Sequence, residues 1–121
     1  MSSDILVLDR ALALDRVGGD EGLLREIAGL FLEDYPKIVE NIKDAVAAKD
    51  AVGLERASHG LKGAVANFGA EPAYQAALAL EKIGRSGNLA NVENAYQALL
   101  GSLEQLRPEL LALAAESASD A

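Results

Sequence analysis

The chain has 121 residues, half of them apolar, with one histidine, no cysteine and a formal net charge of -8. The length suits a single domain spanning 1–121. The missing cysteines exclude disulfides, thiol nucleophiles and thiolate metal sites. The acidic balance argues against nucleic acid or an anionic membrane surface as partner, because phosphate contacts need clustered Lys and Arg.

Alanine and leucine dominate, and the aromatics are three tyrosines and two phenylalanines, a composition that favours helices. Met1-Ser2-Ser3-Asp4 begins acidic, and the apolar run Ile5 to Leu8 is too short for a signal-peptide core or a spanning helix. A cytoplasmic location is expected. Asp9 to Val17 reads as a short amphipathic helix ended by Gly18-Gly19. Asp20 is an N-cap candidate for the next helix. In that helix Leu23, Leu24, Ile27, Leu30 and Phe31 recur at helical spacing, continued by Ile38, Ile42, Ala45 and Val46. Pro36 lies inside this pattern, and a kink or a break is expected there.

Lys49-Asp50 with Gly53 marks a turn or a frayed helix start. The next helix runs to Phe68, with Gly69 as its C-cap. Pro72 suits the first turn of a further helix. This one turns Ala73, Ala76, Ala77, Leu80 and Ile83 inward and ends between Gly84 and Asn88. In the last helix Val92, Tyr96, Leu99, Leu103, Leu106, Leu110 and Leu113 alternate spacings of four and three, an a/d seam. Pro108 is placed to bend its final turns. The tail 116–121 is small and polar, and is expected to fray. No strand-like alternation of useful length occurs. The pattern predicts an all-α fold, an antiparallel four-helix bundle with a short additional N-terminal helix. The leucine seam is read as bundle core rather than a dimerising coiled coil, so a monomer is expected.

The chemistry concentrates on the single histidine, His59. On a helix successive residues rotate by about 100°. Leu54, Ala57, Leu61, Val65 and Phe68 then gather on one side, and His59 points roughly opposite, toward water. Lys62, Gly63 and Ala66 surround the imidazole. Gly63 costs about 1 kcal/mol of helix stability relative to alanine, with no packing reason to accept it.

Alternatives fall away one by one. A lone histidine without cysteine rules out most zinc sites. A bundle di-iron site needs Glu-x-x-His pairs, and Arg56 stands three residues before His59. Gly60-Leu61-Lys62-Gly63 lacks the length and the preceding strand of a phosphate loop. Ser58 and His59 are helix neighbours that do not face each other, and Gly84-Arg85-Ser86-Gly87 is not a G-x-S-x-G elbow. No ATP-binding element is visible, so an enzyme with its own kinase activity is not expected. What remains is what one exposed imidazole can do: accept a proton or an electrophile. Phosphoryl is the natural electrophile, with Lys62 one turn away to offset its charge and Gly63 leaving room for it.

The run His59-Gly60-Leu61-Lys62-Gly63, followed by Ala64-Val65-Ala66-Asn67-Phe68-Gly69-Ala70, resembles the H-x-x-K-G-x-x-x-x-x-G-[AL] signature of histidine-containing phosphotransfer (HPt) domains. The likeness extends upstream to about Asp20 and downstream to Leu106. A hybrid kinase's dimerisation helix fits poorly, because the acidic residue after its histidine and the later Thr-Pro are both missing.

The resemblance implies a phosphorelay module. His59 would accept a phosphoryl group from a receiver-domain aspartate, or from a kinase, and pass it to another receiver. Lys62 would support the phosphate electrostatically, Gly63 would admit the receiver's loops and Gly69 would end the helix in the required turn. Glu81 aligns with a Gln or Glu that hydrogen-bonds the imidazole and sets its tautomer, and Arg85 with a basic residue of some members. Gly60 departs from the family, where side chains at this position usually contribute to docking. The implied partners are response-regulator receiver domains or a hybrid sensor kinase. No cofactor is expected on the chain itself, and Mg²⁺ is expected in the partner receiver. The competing reading, of another class, is a helical-bundle interaction module that binds without being phosphorylated.

Overall fold

Three of the five helices start on an aspartate whose carboxylate takes a backbone donor of the first turn. A computed structural model describes residues 6–115, in the order α1 (Arg10–Arg16), α2 (Glu21–Ala48), α3 (Ala51–Ala66), α4 (Glu71–Ser86) and α5 (Val92–Ala115). Asp9 accepts from Leu12 N at 3.1 Å, Asp20 from Leu23 N at 3.0 Å and Asp50 from Gly53 N at 2.9 Å. Each such cap satisfies a donor that the helix leaves orphaned. α4 lacks a side-chain cap and instead carries Pro72 in its first turn, where the missing N–H removes one orphan.

The chain reverses between α2 and α3 in two residues. Lys49 adopts the left-handed conformation at φ 56°, and Asp50 caps α3 at once. Long helices joined by such short connections pack antiparallel. α2 lies against α3 and α5, and α4 lies against α3 and α5, closing a four-helix ring with α3–α4 as its most extensive pair. This is the predicted bundle. Among the described residues there is no strand and no helix long and apolar enough to cross a membrane. The expected tail 116–121 lies outside the described residues.

The core is largely aliphatic. The a/d seam of α5 is buried from Tyr96 through Leu113, with Val92 packed at its edge, and meets Leu24, Phe31, Ile42, Leu54, Leu61 and Leu80. Phe31 packs on Phe68 with ring centroids 5.6 Å apart, tying α2 to the end of α3.

Two details depart from expectation. Of the kink or break expected at Pro36, the break does not occur, for α2 runs unbroken through it. Pro36 is exposed, so its ring takes no place in the core. The buried stripe of α2 is also narrower than its apolar pattern, because Leu23 and Leu30 remain 40% and 54% exposed.

Gly69 ends α3 as the left-handed residue of a Schellman turn. Its φ is 59°, its N–H donates to Ala66 O, and Ala70 N donates to Val65 O. It is also the seat of α1, since a Cβ there would lie 2.6 Å from Asp9 Cβ. Asp9 N donates to Phe68 O at 3.0 Å beside it. Gly69→Ala is therefore expected to destabilise the protein by more than about 1 kcal/mol in urea unfolding, with faster exchange of the Asp9 amide. Unchanged stability and exchange would refute both roles of this glycine.

Candidate functional site

α3 turns Leu54, Ser58, Leu61 and Val65 inward, which leaves the next residue, His59, on the opposite face. The His59 side chain is 67% exposed. Gly60 and Gly63 are exposed as well, and a Cβ at either would meet nothing within 4 Å. The ring is thus on the outside of the bundle with cleared ground beside it, as its helical position predicted. Ser58 was not anticipated as core. It is fully buried, and its hydroxyl has no hydrogen-bond partner.

Glu81, on α4, is the group around which the site is built. It is almost fully buried, yet three cationic or polar groups converge on its carboxylate. His59 Nδ1 donates to Oε2 at 2.9 Å, Arg85 Nη2 donates to the same oxygen at 2.9 Å, and Lys62 Nζ pairs with Oε1 at 2.8 Å. Arg85 is held from its other side by Glu55, Nε to Oε2 at 3.0 Å. His59, Lys62, Glu81 and Arg85 are therefore brought together, and Gly63 lies one turn on from the ring. Gly69 is separate from this cluster, at the end of α3, where its role is in the turn. An open depression of about 500 Å³ adjoins the ring, lined by Val52, Glu55, Arg56, His59, Glu81 and Arg85.

The electrostatics fix the protonation pattern. The Lys62 ammonium holds the Glu81 carboxyl below its ordinary value, burial opposes this, and the His59 hydrogen bond adds to it. An ionised carboxylate can only accept. The proton it binds must then sit on Nδ1, which leaves Nε2 of the neutral ring with a free lone pair. Arg85 is held more firmly in its charged form, first by its hydrogen bond to Glu55. Two carboxylates, Glu55 and Glu81, are matched by two cations, Lys62 and Arg85. The described residues contain no cluster of His, Asp and Glu able to hold a metal ion.

The comparisons with known proteins agree with this geometry. The family profile described as Hpt domain matches residues 26–109. The chain belongs to the Hpt domain family. Members carry phosphoryl groups on histidine in two-component signalling. The chain is also similar in fold to the crystal structure of the HPT domain from the Hpt sensor hybrid histidine kinase from Shewanella. The TM-score is 0.81 at 20% identity, over 93% of this chain and 97% of that one. Comparison with curated proteins finds no match.

Two participants were missed in the sequence. Glu55 stands four residues before His59 on the same face, and its charge complements Arg85; that offset was the available signal. The other is Gly84, which lies inside the helix: α4 ends at Ser86, within the predicted stretch from Gly84 to Asn88, and is capped by Gly87 at φ 75°.

Because Glu81 titrates lower in the folded protein than its ordinary value of 4.5, its contribution to stability is complete above that pH. It is lost as pH falls through the lower, folded value. Glu81→Gln should therefore flatten the acid limb of a plot of urea midpoint against pH. A limb as steep as that of the unaltered protein would show that Glu81 is not held ionised by its neighbours.

Proposed function

We propose that the protein is a phosphoryl carrier in which Nε2 of His59 is the acceptor atom. The observation that carries this reading is the exposed imidazole whose Nδ1 is occupied by a buried, ionised carboxylate. The Nε2 lone pair attacks the phosphorus of an acyl phosphate on a receiver-domain aspartate. An N–P bond forms, the P–O bond to the aspartate breaks, and the bonding pair leaves with the carboxylate. The ring becomes cationic with its proton still on Nδ1, and the adjacent Glu81 carboxylate stabilises that charge. Transfer to a second receiver is the same step in reverse.

Lys62 offers three donors, so its ammonium can keep Glu81 and still reach the transferred group. Mg²⁺ belongs to the receiver in this scheme, and the chain supplies no nucleotide-binding element. The open surroundings of the ring suit a protein partner better than a small molecule, which is usually enclosed in a concave pocket. The partner class is accordingly response-regulator receivers or a hybrid sensor kinase. The protein acts as a carrier rather than a kinase.

Incubation with a phosphorylated receiver and Mg²⁺ should deposit acid-labile, alkali-stable label on the protein. His59→Gln should reduce that label to background with the helical circular dichroism unchanged; label surviving in this variant would refute the acceptor assignment. Binding of receivers with no label on the unaltered protein would favour the interaction-module reading. Gly63→Gln should fold at least as well, since it improves helix propensity, yet accept phosphoryl about tenfold or more slowly. Transfer at the original rate would show that open ground beside the ring is not needed.

A further inference from the structure

We infer that Gly84 is a positioning residue, the spacer that lets α3 and α4 approach closely enough for Glu81 to hold the His59 ring. Gly84 is buried in the middle of the last turns of α4, and its φ is not positive, so no turn requires glycine there. Space does. A Cβ at this position would lie 2.6 Å from Glu55 N, 2.7 Å from Ala51 O and 2.9 Å from Glu55 Cα. All three atoms are α3 backbone, with no flexible side-chain end to swing aside. Carbon atoms in contact need about 3.5 Å, so a single methyl would drive the helices apart by roughly 1 Å.

The contact sits inside the functional network. Gly84 follows Glu81 by three residues and adjoins Arg85, while the backbone it touches belongs to Glu55, the anchor of Arg85. Glu55 and His59 are one turn apart on α3, and Glu81 and Arg85 are one turn apart on α4. Their side chains link all four across the helix interface: His59 to Glu81, Glu81 to Arg85, Arg85 to Glu55. Bonds at 2.9–3.0 Å leave little slack before they cease to be hydrogen bonds. A displacement near 1 Å breaks the His59–Glu81 bond, and the ring then loses the partner that keeps its proton on Nδ1. A helical glycine costs about 1 kcal/mol relative to alanine, and the close approach is what offsets it here.

The consequence for transfer rests on the carrier reading, whereas the consequence for the ring does not. The experiment therefore reads both. The tautomer of neutral His59 is measured by imidazole ¹⁵N shifts, and the rate of phosphoryl acceptance by transfer from a phosphorylated receiver. Gly84→Ala should lose the single Nδ1–H tautomer and accept phosphoryl about tenfold or more slowly. Gly101→Ala, on the exposed side of α5 with open space around it, should change neither. A Gly84→Ala protein with an undisturbed tautomer and rate overturns the inference. Should Gly84→Ala not fold, Glu81→Asp decides, because it shortens the reach by one methylene without any backbone clash. It should show the same mixed tautomer, and retention of Nδ1–H would mean that spacing does not limit the contact. A tautomer change in Gly84→Ala with no label on the unaltered protein would uphold the spacer and refute the carrier.

Discussion

A carboxylate buried between two helices is expensive, by several kcal/mol for an ion stripped of water, unless its oxygens are fully met. Glu81 is met from three directions, and two of the three partners, His59 and Lys62, come from the facing helix. The ion therefore stays folded in only while α3 and α4 keep their register. Close approach is supplied at Gly84, whose missing Cβ leaves room for the α3 backbone. The buried faces of the two helices carry further small residues, Ala73 and Ala77 on α4 and Ser58 on α3. The partnerless Ser58 hydroxyl is a cost accepted on the buried face of α3. α2 and α5 provide the apolar floor on which this pair rests.

The pairing also shapes how the surface meets a charged group. The chain is strongly acidic overall, yet the neighbourhood of His59 sets three cations, Arg56, Lys62 and Arg85, against two carboxylates. The negative charges are turned inward or tied to a guanidinium, while the ring points outward. An incoming dianionic group consequently meets an imidazole and the edge of an ammonium rather than bare carboxylate. The expectation of Lys62 as a neighbour to phosphate needs one refinement, since the ammonium already has a resident anion.

Helical periodicity made much of this legible. The 3.6-residue repeat identified the α5 seam, placed His59 opposite the apolar side of α3, and located the turn at Gly69. It assigns faces within a helix, but not the register between helices. That is why Glu81 and Arg85 could be aligned only through resemblance, and why Glu55, thirty residues before its partner Arg85, went unnoticed. The contact made by Gly84 was missed for a related reason. A glycine near a helix end is ordinarily a terminator, and only the facing backbone shows that this one is a spacer.

The glycines divide the molecule's demands into internal and external ones. Gly69 and Gly84 are each explained from within, since a Cβ at either collides with another part of the chain. Gly60 and Gly63 are not, for both are helical, exposed and surrounded by open space. Open helical glycines such as Gly29 and Gly101 show that the property alone says little. The pair beside His59 differs in lying next to the exposed imidazole. Helix geometry separates the two further: about 100° per residue puts Gly63 some 40° from the His59 direction and Gly60 about 100° away. Of the two, Gly63 lies nearer the direction of the ring, and nothing inside the bundle repays its helix penalty. On the carrier reading proposed above, the repayment comes from a partner surface that fits against this helix when it reaches Nε2.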